Sequence, residues 1–269
     1  MAYIGTAGWT IPKQYAKLAP GDGTHLERYA RIFNCVEINS SFHRSHRTST
    51  WQRWADSTPD NFRFSVKLTK TITHLQKLSG DTAALDAFFA EVASLGKKLS
   101  VILVQLPPKL AYGDCPAVEF FEFLRERWHG PIALEPRNAS WFTEEAEELL
   151  LRHRIARVAA DPRRHGPIGE NGFAKPGGGP GLEYFRLHGS PRTYYSQYEP
   201  AALKSLAKAM KPSAAKQSQW VIFDNTAVGH AFGNAADLQQ MLNAKRSGQN
   251  LDFRSRSSIR SRNSWSSAD

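Results

Sequence analysis

Short apolar runs that end in a polar or charged residue recur eight times along the chain. They cover residues 3–6, 35–39, 62–67, 101–105, 131–135, 155–160, 184–188 and 220–224. Such runs are typical of strands in a parallel sheet that is buried on both faces. A charge at the end of a buried strand is costly unless a partner or a function uses it. The pattern therefore predicts that many reactive groups gather at one edge of a sheet.

Helical patterns lie between most of these runs. Thr24 and Glu27 have the spacing of a capping box, which satisfies backbone amides at a helix start. Thr143 is predicted to cap a later helix, Pro200 to begin another, and Asn234 to cap the last. The segment 162–181 is rich in glycine and proline, so we predict a long loop there in place of a helix.

Strand and helix alternate eight times in about 245 residues, which predicts an α/β protein with a single (β/α)8 TIM-like barrel. A doubly wound open sheet is the alternative, because periodicity does not show whether a sheet closes. Against it, the sequence GTAGW at residues 5–9 lacks the complete glycine fingerprint of a dinucleotide-binding fold. We predict a barrel domain over residues 1–245 and a disordered Arg/Ser-rich tail over residues 246–269.

The net charge of +10 on 269 residues is unevenly distributed. From Lys245 onward, six basic and two acidic residues give the C-terminal segment 245–269 a charge of +4, so the preceding 244 residues carry +6. That charge favours a small anionic ligand without requiring nucleic acid. Two cysteines, no long apolar segment and no signal-peptide pattern predict a cytoplasmic protein with free thiols and no membrane partner. The sequence predicts no oligomeric state.

Seven motifs stand in a fixed order along the chain. They are GTAGW (5–9), FNCVEINSSF (33–42), FSVK with ITH (64–67 and 72–74), QLPP (105–108), EPR with SW (135–137 and 140–141), RLHG (186–189) and FDNT (223–226). Together they resemble the YecE-like family of uncharacterised proteins, a domain of unknown function, over about residues 3–243. The resemblance implies a TIM-barrel-like fold and no established reaction.

Two departures from the family pattern affect the expectations. Family members often carry histidine at the position of Asn138, so the resemblance implies altered or lost activity if that histidine does essential chemistry. The family pattern is expected to end near Leu242, which leaves the basic tail outside it. We interpret the tail as a solvated extension, with RNA binding through its Arg/Ser pattern as the alternative.

Reacting groups of a barrel lie at the C-terminal ends of its strands and in the adjoining loops. The predicted catalytic residues are Glu135, Glu37, Asp224 and His188. The predicted substrate-binding residues are Trp9, Asn39, Lys67, His74, Gln105, Arg137, Asp161, Arg186 and Asn225. A salt-bridge network around the rim would explain any one of them, and tryptophans such as Trp9 more often belong to a core. The whole set favours a functional site, because a merely structural rim could avoid the desolvation of so many charges.

Glu135 is expected to be the general acid/base, because an apolar strand could raise the pKa of its carboxyl group. Glu37 or Asp224 would be its partner, and paired carboxylates suit glycosidic or similar bond cleavage. The cationic side chains would hold a phosphorylated or carboxylated substrate. His188 would shuttle protons or ligate a metal.

Five residues at the predicted strand ends are donor types that divalent metals use. They are Glu37, Glu135, Asp161, His188 and Asp224. No metal motif of short spacing accompanies them and three nearby cations oppose a metal, so neither a metal nor another cofactor is predicted. The predicted function is a hydrolase-like acid/base enzyme. A nucleic-acid-binding or processing protein that uses the cationic rim, and a non-catalytic ligand-binding barrel, are the alternatives.

Overall fold

The computed structural model describes residues 2–80, 82–210 and 218–247. Its strands are β1 (Ala2–Thr6), β2 (Cys35–Ile38), β3 (Arg63–Lys67), β4 (Leu99–Gln105), β5 (Ile132–Glu135), β6 (Ile155–Arg157), β7 (Ala159–Asp161), β8 (Gly177–Gly178), β9 (Leu182–Leu187) and β10 (Ser218–Phe223). Its α-helices are α1 (His25–Ala30), α2 (Ser40–His43), α3 (Thr48–Asp56), α4 (Ala83–Val92), α5 (Ala117–Arg127), α6 (Glu144–Arg152), α7 (Pro200–Ala209) and α8 (His230–Ser247). No helix among the described residues is long and apolar enough to cross a membrane.

Two mostly parallel sheets form the wall of the fold. One has the order β2-β3-β4-β5-β6 with the short antiparallel β8 at its edge, and the other has the order β1-β10-β9-β7. The predicted sixth strand is divided at Val158, so that β6 pairs with β5 and β7 pairs with β9. On the opposite side, a single bridge between Ala7 and Glu37 joins the ends of β1 and β2. This TIM-like arrangement confirms the predicted fold class. The hydrogen-bonded ladder of strands is interrupted between β6 and β7 and between β1 and β2.

Side-chain alternation along the strands places the polar residues on the inward-facing side of the two sheets. Along β4, Val101 and Leu103 belong to one buried apolar cluster and Ile102 and Val104 to another. The first cluster also takes in Cys35, Ala133, Tyr184, Trp220 and Ile222. Because strand side chains repeat every second residue, the same inner face continues into polar residues near the strand ends. These are Glu37, Gln105, Glu135, Arg186 and Asp224.

Most predicted helix starts are confirmed. The Thr24 hydroxyl accepts from the Glu27 amide, and the Glu27 carboxylate accepts from the Thr24 amide at 2.6 Å. The Thr143 side chain caps α6, and Pro200 begins α7. The prediction for Asn234 was wrong, because α8 begins at His230 and Asn234 lies inside it. Its amide instead exchanges hydrogen bonds of 3.0 and 2.8 Å with the backbone of Tyr198, which ties α8 to the loop before α7.

The segment 162–181 contains no helix, as predicted, and its short strand β8 pairs with β6, the first half of the predicted sixth strand. An isolated bridge joins Ile168 to Ala174, and Phe173 is buried against the core. At the C-terminus, α8 continues to Ser247, two residues past the predicted domain boundary. Residues 248–269 of the predicted tail lie outside the described residues.

Gly5 of β1 lies close against the backbone of β2. A Cβ atom at Gly5 would lie 2.3 Å from the carbonyl oxygen of Cys35. We therefore expect Gly5→Ala to lower the free energy of unfolding by about 1–3 kcal/mol in urea denaturation. Gly113→Ala is the matched control, because its Cβ would meet nothing within 4 Å. Equal stability of the two variants would contradict the close approach.

Candidate active site

Arg186 lies at the centre of the inner polar face. The side chain is 1% exposed and binds Glu37 with two hydrogen bonds, Nε to Oε2 at 3.0 Å and Nη2 to Oε1 at 2.7 Å. Its Nη1 donates to Glu135 Oε2, and its Nη2 lies 3.2 Å from Asp224 Oδ2. One buried guanidinium therefore bridges three carboxylates from three different strands.

His188 contacts two of the carboxylates that Arg186 binds. Its Nδ1 is 2.9 Å from Asp224 Oδ2, and its Nε2 is 3.4 Å from Glu135 Oε1. The Nε2 atom is buried and not aligned for a hydrogen bond with any described residue. Buried polar atoms without partners are rare and costly in folded proteins. The imidazole is thus held between two carboxylates, with Nδ1 facing Asp224 and Nε2 within ion-pair distance of Glu135.

A second chain of polar contacts reaches Glu135 from β3 and β4. Lys67 Nζ donates to Gln105 Oε1 at 2.8 Å, and Gln105 Nε2 donates to Glu135 Oε1 at 2.9 Å. Arg137 Nε also approaches this oxygen, at 3.3 Å. The Lys67 ammonium lies 4.0 Å from the centre of the Phe42 ring, where the ring quadrupole favours a cation.

The pKa of Glu135 is held well below its usual range, which is opposite to the expected shift. Burial alone would raise this pKa, but the positive charges of Arg186, His188 and Arg137 outweigh it. The pKa of Asp224 is lowered against burial in the same way, by Arg186 and His188. Both carboxylates are therefore ionised near neutral pH, and the expectation that Glu135 is a neutral-pH acid was wrong.

Two cationic groups of the cluster, His188 and Lys67, also have shifted pKa values. Burial would lower the pKa of His188, but the charge of Glu135 and the hydrogen bond with Asp224 raise it above 6.5. Burial, helped by repulsion from Arg186, lowers the pKa of Lys67 to about 8. Groups that titrate near the working pH are the ones suited to proton transfer.

A cavity of about 570 Å³ opens beside this cluster. Glu135 and His188 form part of its lining, together with the cationic side chains of Arg137, Arg164 and Lys175. Arg164 and Lys175 come from the loop 162–181 and were not among the predicted site residues. Their only sequence signal is a positive charge in a loop, which gives no hint of what the loop faces.

Tyr184 and Ser65 are further members of the cluster that sequence reasoning missed. The Tyr184 hydroxyl is 2.8 Å from both Glu37 Oε2 and Ser65 Oγ, and the Tyr184 side chain is fully buried. Burial and the charge of Glu37 raise the pKa of this phenol well above its usual value. The signal was available, because residues 184, 186 and 188 share one strand face.

Other predicted residues lie outside the charged cluster. Trp9 packs edge-on against Trp54 with ring centroids 5.0 Å apart, as in a core. Asp161 accepts a hydrogen bond of 2.6 Å from the Tyr198 hydroxyl. Asn225 is fully buried and donates to the backbone of the loop before α7 and to the side chain of Asn234. These contacts support the loops around the site.

Asn39 and His74 flank the cluster on the side of Lys67. Asn39 follows β2, and its Oδ1 is buried without a hydrogen-bond partner in the described structure. His74 contacts the Phe42 ring edge-on at 4.9 Å. Burial and the charges of Lys67 and Arg137 lower the pKa of His74 to about 4, so this imidazole is neutral near pH 7.

Asn138 has a local structural role. Its Oδ1 accepts from the amide of Ser140 at 3.1 Å and from the hydroxyl of Ser140 at 2.9 Å, and its Nδ2 donates to Pro108 O at 3.2 Å. Asn138 thereby caps the 3₁₀ turn Ala139–Phe142 and ties it to the loop after β4.

The described residues hold no group of three histidine, cysteine or acidic side chains placed to bind a metal ion. At the centre of the cluster, the carboxylates of Glu37, Glu135 and Asp224 face the guanidinium of Arg186.

The fold is that of a TIM-like α/β barrel protein. The buried charges at its strand ends lie beside a cavity, which places a candidate ligand site at the C-terminal mouth of the barrel. The chain belongs to the DUF72 family, since the family model described as "Protein of unknown function DUF72" matches residues 3–257. This match extends past Leu242, so the expectation that the family pattern ends there was wrong.

Individual relatives agree with this assignment. The UPF0759 protein YecE of Escherichia coli K12 is 30% identical over 169 residues, covering 61% of this chain and 60% of that protein. The chain thus spans about three-fifths of YecE in this match. The UPF0759 protein YunF of Bacillus subtilis is 26% identical over 285 residues, covering 92% and 97%. A DUF72 family protein from Enterococcus faecalis has a similar fold, with a TM-score of 0.72, 22% identity and coverage of 94% and 97%.

Proposed function

We propose that the chain is an acid/base enzyme that acts on a small phosphorylated or carboxylated substrate in the cavity at the barrel mouth. One observation carries the proposal. His188, held through Nδ1 by Asp224 and through Nε2 by Glu135, lines a cavity that three cationic side chains also line. An oriented imidazole beside a cationic pocket combines proton transfer with anion binding.

The proton-transfer role falls to His188, which lines the cavity and is predominantly protonated below its raised pKa. Lys67, with a pKa of about 8, is outside the cavity lining and is linked to Glu135 through Gln105. Glu135 stays ionised and holds both groups in place through direct and Gln105-mediated contacts. The pairing of Glu135 with Glu37 or Asp224 as acid and base is less favoured, because Arg186 lowers the pKa of Glu135 and of Asp224. Hydrolysis as the reaction type stays a prediction.

We assign the binding of the substrate's anionic group to Arg137, Arg164 and Lys175. We expect the double variant Arg164→Ala/Lys175→Ala to bind inorganic phosphate and succinate up to about 30-fold more weakly than the wild type, since both side chains are exposed and each exposed ion pair contributes at most about 1 kcal/mol. Isothermal titration calorimetry at fixed ionic strength measures the affinities.

Lys208→Ala is the matched control for this prediction. It removes an exposed cation from α7, away from the cavity lining, and should leave both affinities unchanged. Absence of saturable binding of either anion to the wild type would refute the anionic substrate, and so would equal losses in the double variant and the control.

The alternatives differ in their response to salt and mutation. A nucleic-acid-binding protein that uses the cationic rim would show affinity for oligonucleotides that falls steeply with salt concentration. If that binding persists after truncation at residue 246, it belongs to the barrel rather than the tail. A non-catalytic ligand-binding barrel would bind anions with no turnover in any metabolite screen.

A further inference from the structure

We infer that the cavity binds a phosphate monoester whose organic part is an aromatic ring, and that Tyr194 is the surface on which this ring stacks. The inference rests on the proposed function and narrows its substrate class. It assigns the phosphate to Arg137, Arg164 and Lys175 and the ring to the aromatic side of the same cavity.

The cavity is larger than an anion alone needs. A volume of about 570 Å³ is within the range of sites for whole small molecules. Beside its cations, the lining includes Phe142, His165 and Tyr194. The Phe142 and His165 rings contact each other with centroids 5.8 Å apart, and the Tyr194 ring contacts the His188 ring, so each aromatic side chain of the lining packs against a second ring. Such ring surfaces complement flat ligand rings.

Tyr194 is held in a backbone conformation that suits glycine. Its φ of 69° lies in the left-handed region, which bulky residues rarely adopt. Hydrogen bonds of its backbone to His188 and Ala227 hold it there. Its ring is nevertheless 41% exposed and touches the His188 ring edge-on, with centroids 5.8 Å apart. Strain around an exposed aromatic ring beside a candidate proton donor indicates a functional position.

The polar lining favours an aromatic ring over a sugar. Sugar hydroxyls need many acceptors, yet the carboxylate that lines the cavity, Glu135, already accepts from Arg186, Gln105 and Arg137. Three cationic side chains suit the double negative charge that a phosphate monoester approaches at neutral pH. Phenyl phosphate is therefore the simplest probe that carries both parts of the inferred ligand.

The test compares three probes by calorimetry, namely inorganic phosphate, ribose 5-phosphate and phenyl phosphate. The wild type should bind phenyl phosphate at least about tenfold more tightly than either of the others, which is the scale of aromatic stacking. Tyr194→Gly should remove most of that preference and leave the affinity for inorganic phosphate within about twofold. Glycine adopts the left-handed backbone without strain, so this variant should retain the fold and melting temperature.

Two further variants complete the test. Tyr195→Ala removes the neighbouring ring, which is 43% exposed and outside the cavity lining, and should keep the preference. Tyr194→Asn is the second choice if the glycine variant is unstable, since asparagine tolerates this conformation. Equal affinity for phenyl and inorganic phosphate, or for phenyl phosphate and ribose 5-phosphate, overturns the inference while the anionic site stands. Failure of all three probes to bind overturns the proposed function together with the inference.

Discussion

Arg186→Met is expected to lower the free energy of unfolding by about 3–5 kcal/mol at pH 7, because removing one partner of a buried ion cluster leaves uncompensated charges. The guanidinium is bonded to Glu37, Glu135 and Asp224, and all of these side chains are almost entirely buried. Methionine fills similar space without any charge. Urea denaturation followed by circular dichroism gives the free energies.

Acid should reduce the difference between this variant and the wild type. The pKa values of Glu135 and Asp224 are lowered in the folded protein from ordinary values of 4.5 and 3.8. The stability they contribute is therefore present above those values and is lost as the pH falls through the folded-state pKa. The variant lacks the part of this contribution that Arg186 supplies, so the difference between the two unfolding curves should shrink in acid.

The control for Arg186 is Arg127→Met. Arg127 pairs with Asp86 at the surface, where an ion pair contributes at most about 1 kcal/mol. If Arg186→Met fails to fold, the double variant Arg186→Met/Glu37→Gln should recover part of the stability, since it removes one of the uncompensated charges. A cost of Arg186→Met equal to that of Arg127→Met would contradict the central role of the guanidinium.

His188→Gln is expected to lower kcat/KM by about 10²–10⁴-fold for any substrate found by metabolite screening, which is the range attributed to general acid/base catalysis. Glutamine retains hydrogen-bonding capacity toward Asp224 but does not titrate. The wild-type rate should fall as the pH rises through the pKa of His188, and the residual rate of the variant should not show this fall. Steady-state kinetics across the pH range measures both effects.

Stability provides an independent readout of the same group. Because the folded-state pKa of His188 is raised above 6.5, its stabilisation is complete below that value and is lost as the pH rises through the folded-state pKa. The unfolding free energy of the wild type minus that of His188→Gln should therefore decrease from pH 6 to pH 8. His129→Gln, an exposed histidine before β5, should leave rate and stability profiles unchanged. Parallel profiles for wild type and His188→Gln would show that His188 does not titrate in this window.

The sequence predicts the fold and much of the central cluster because both depend on local patterns. Alternation within strands placed Glu37, Glu135 and Arg186 at strand ends, and the parallel arrangement then brought them together. The capping box at Thr24 needed only two residues at fixed spacing. Asn234 shows the limit of such reasoning, since its amide found backbone partners near Tyr198, 36 residues earlier in the chain.

The direction of the pKa shifts and the residues that line the cavity could not be predicted from local sequence patterns. The direction of the pKa shift of Glu135 depends on whether burial or neighbouring cations prevail, and that balance requires the distances to Arg186 and Arg137. The roles of Arg164, Lys175 and Tyr194 depend on the path of two loops that carry no strand or helix pattern. Such long-range placement is fixed by tertiary packing rather than by local sequence.

The loop 162–181 divides the site into two parts that can change independently. The group assigned to proton transfer is at a strand end of the barrel, whereas Arg164 and Lys175 belong to a segment that replaces a helix. A loop tolerates sequence change more readily than a packed strand. Under the proposed function, the ligand that is selected can therefore change while the proton-transfer group on the strand ends is retained, and exchange of this loop is a direct route to altered selectivity by protein engineering.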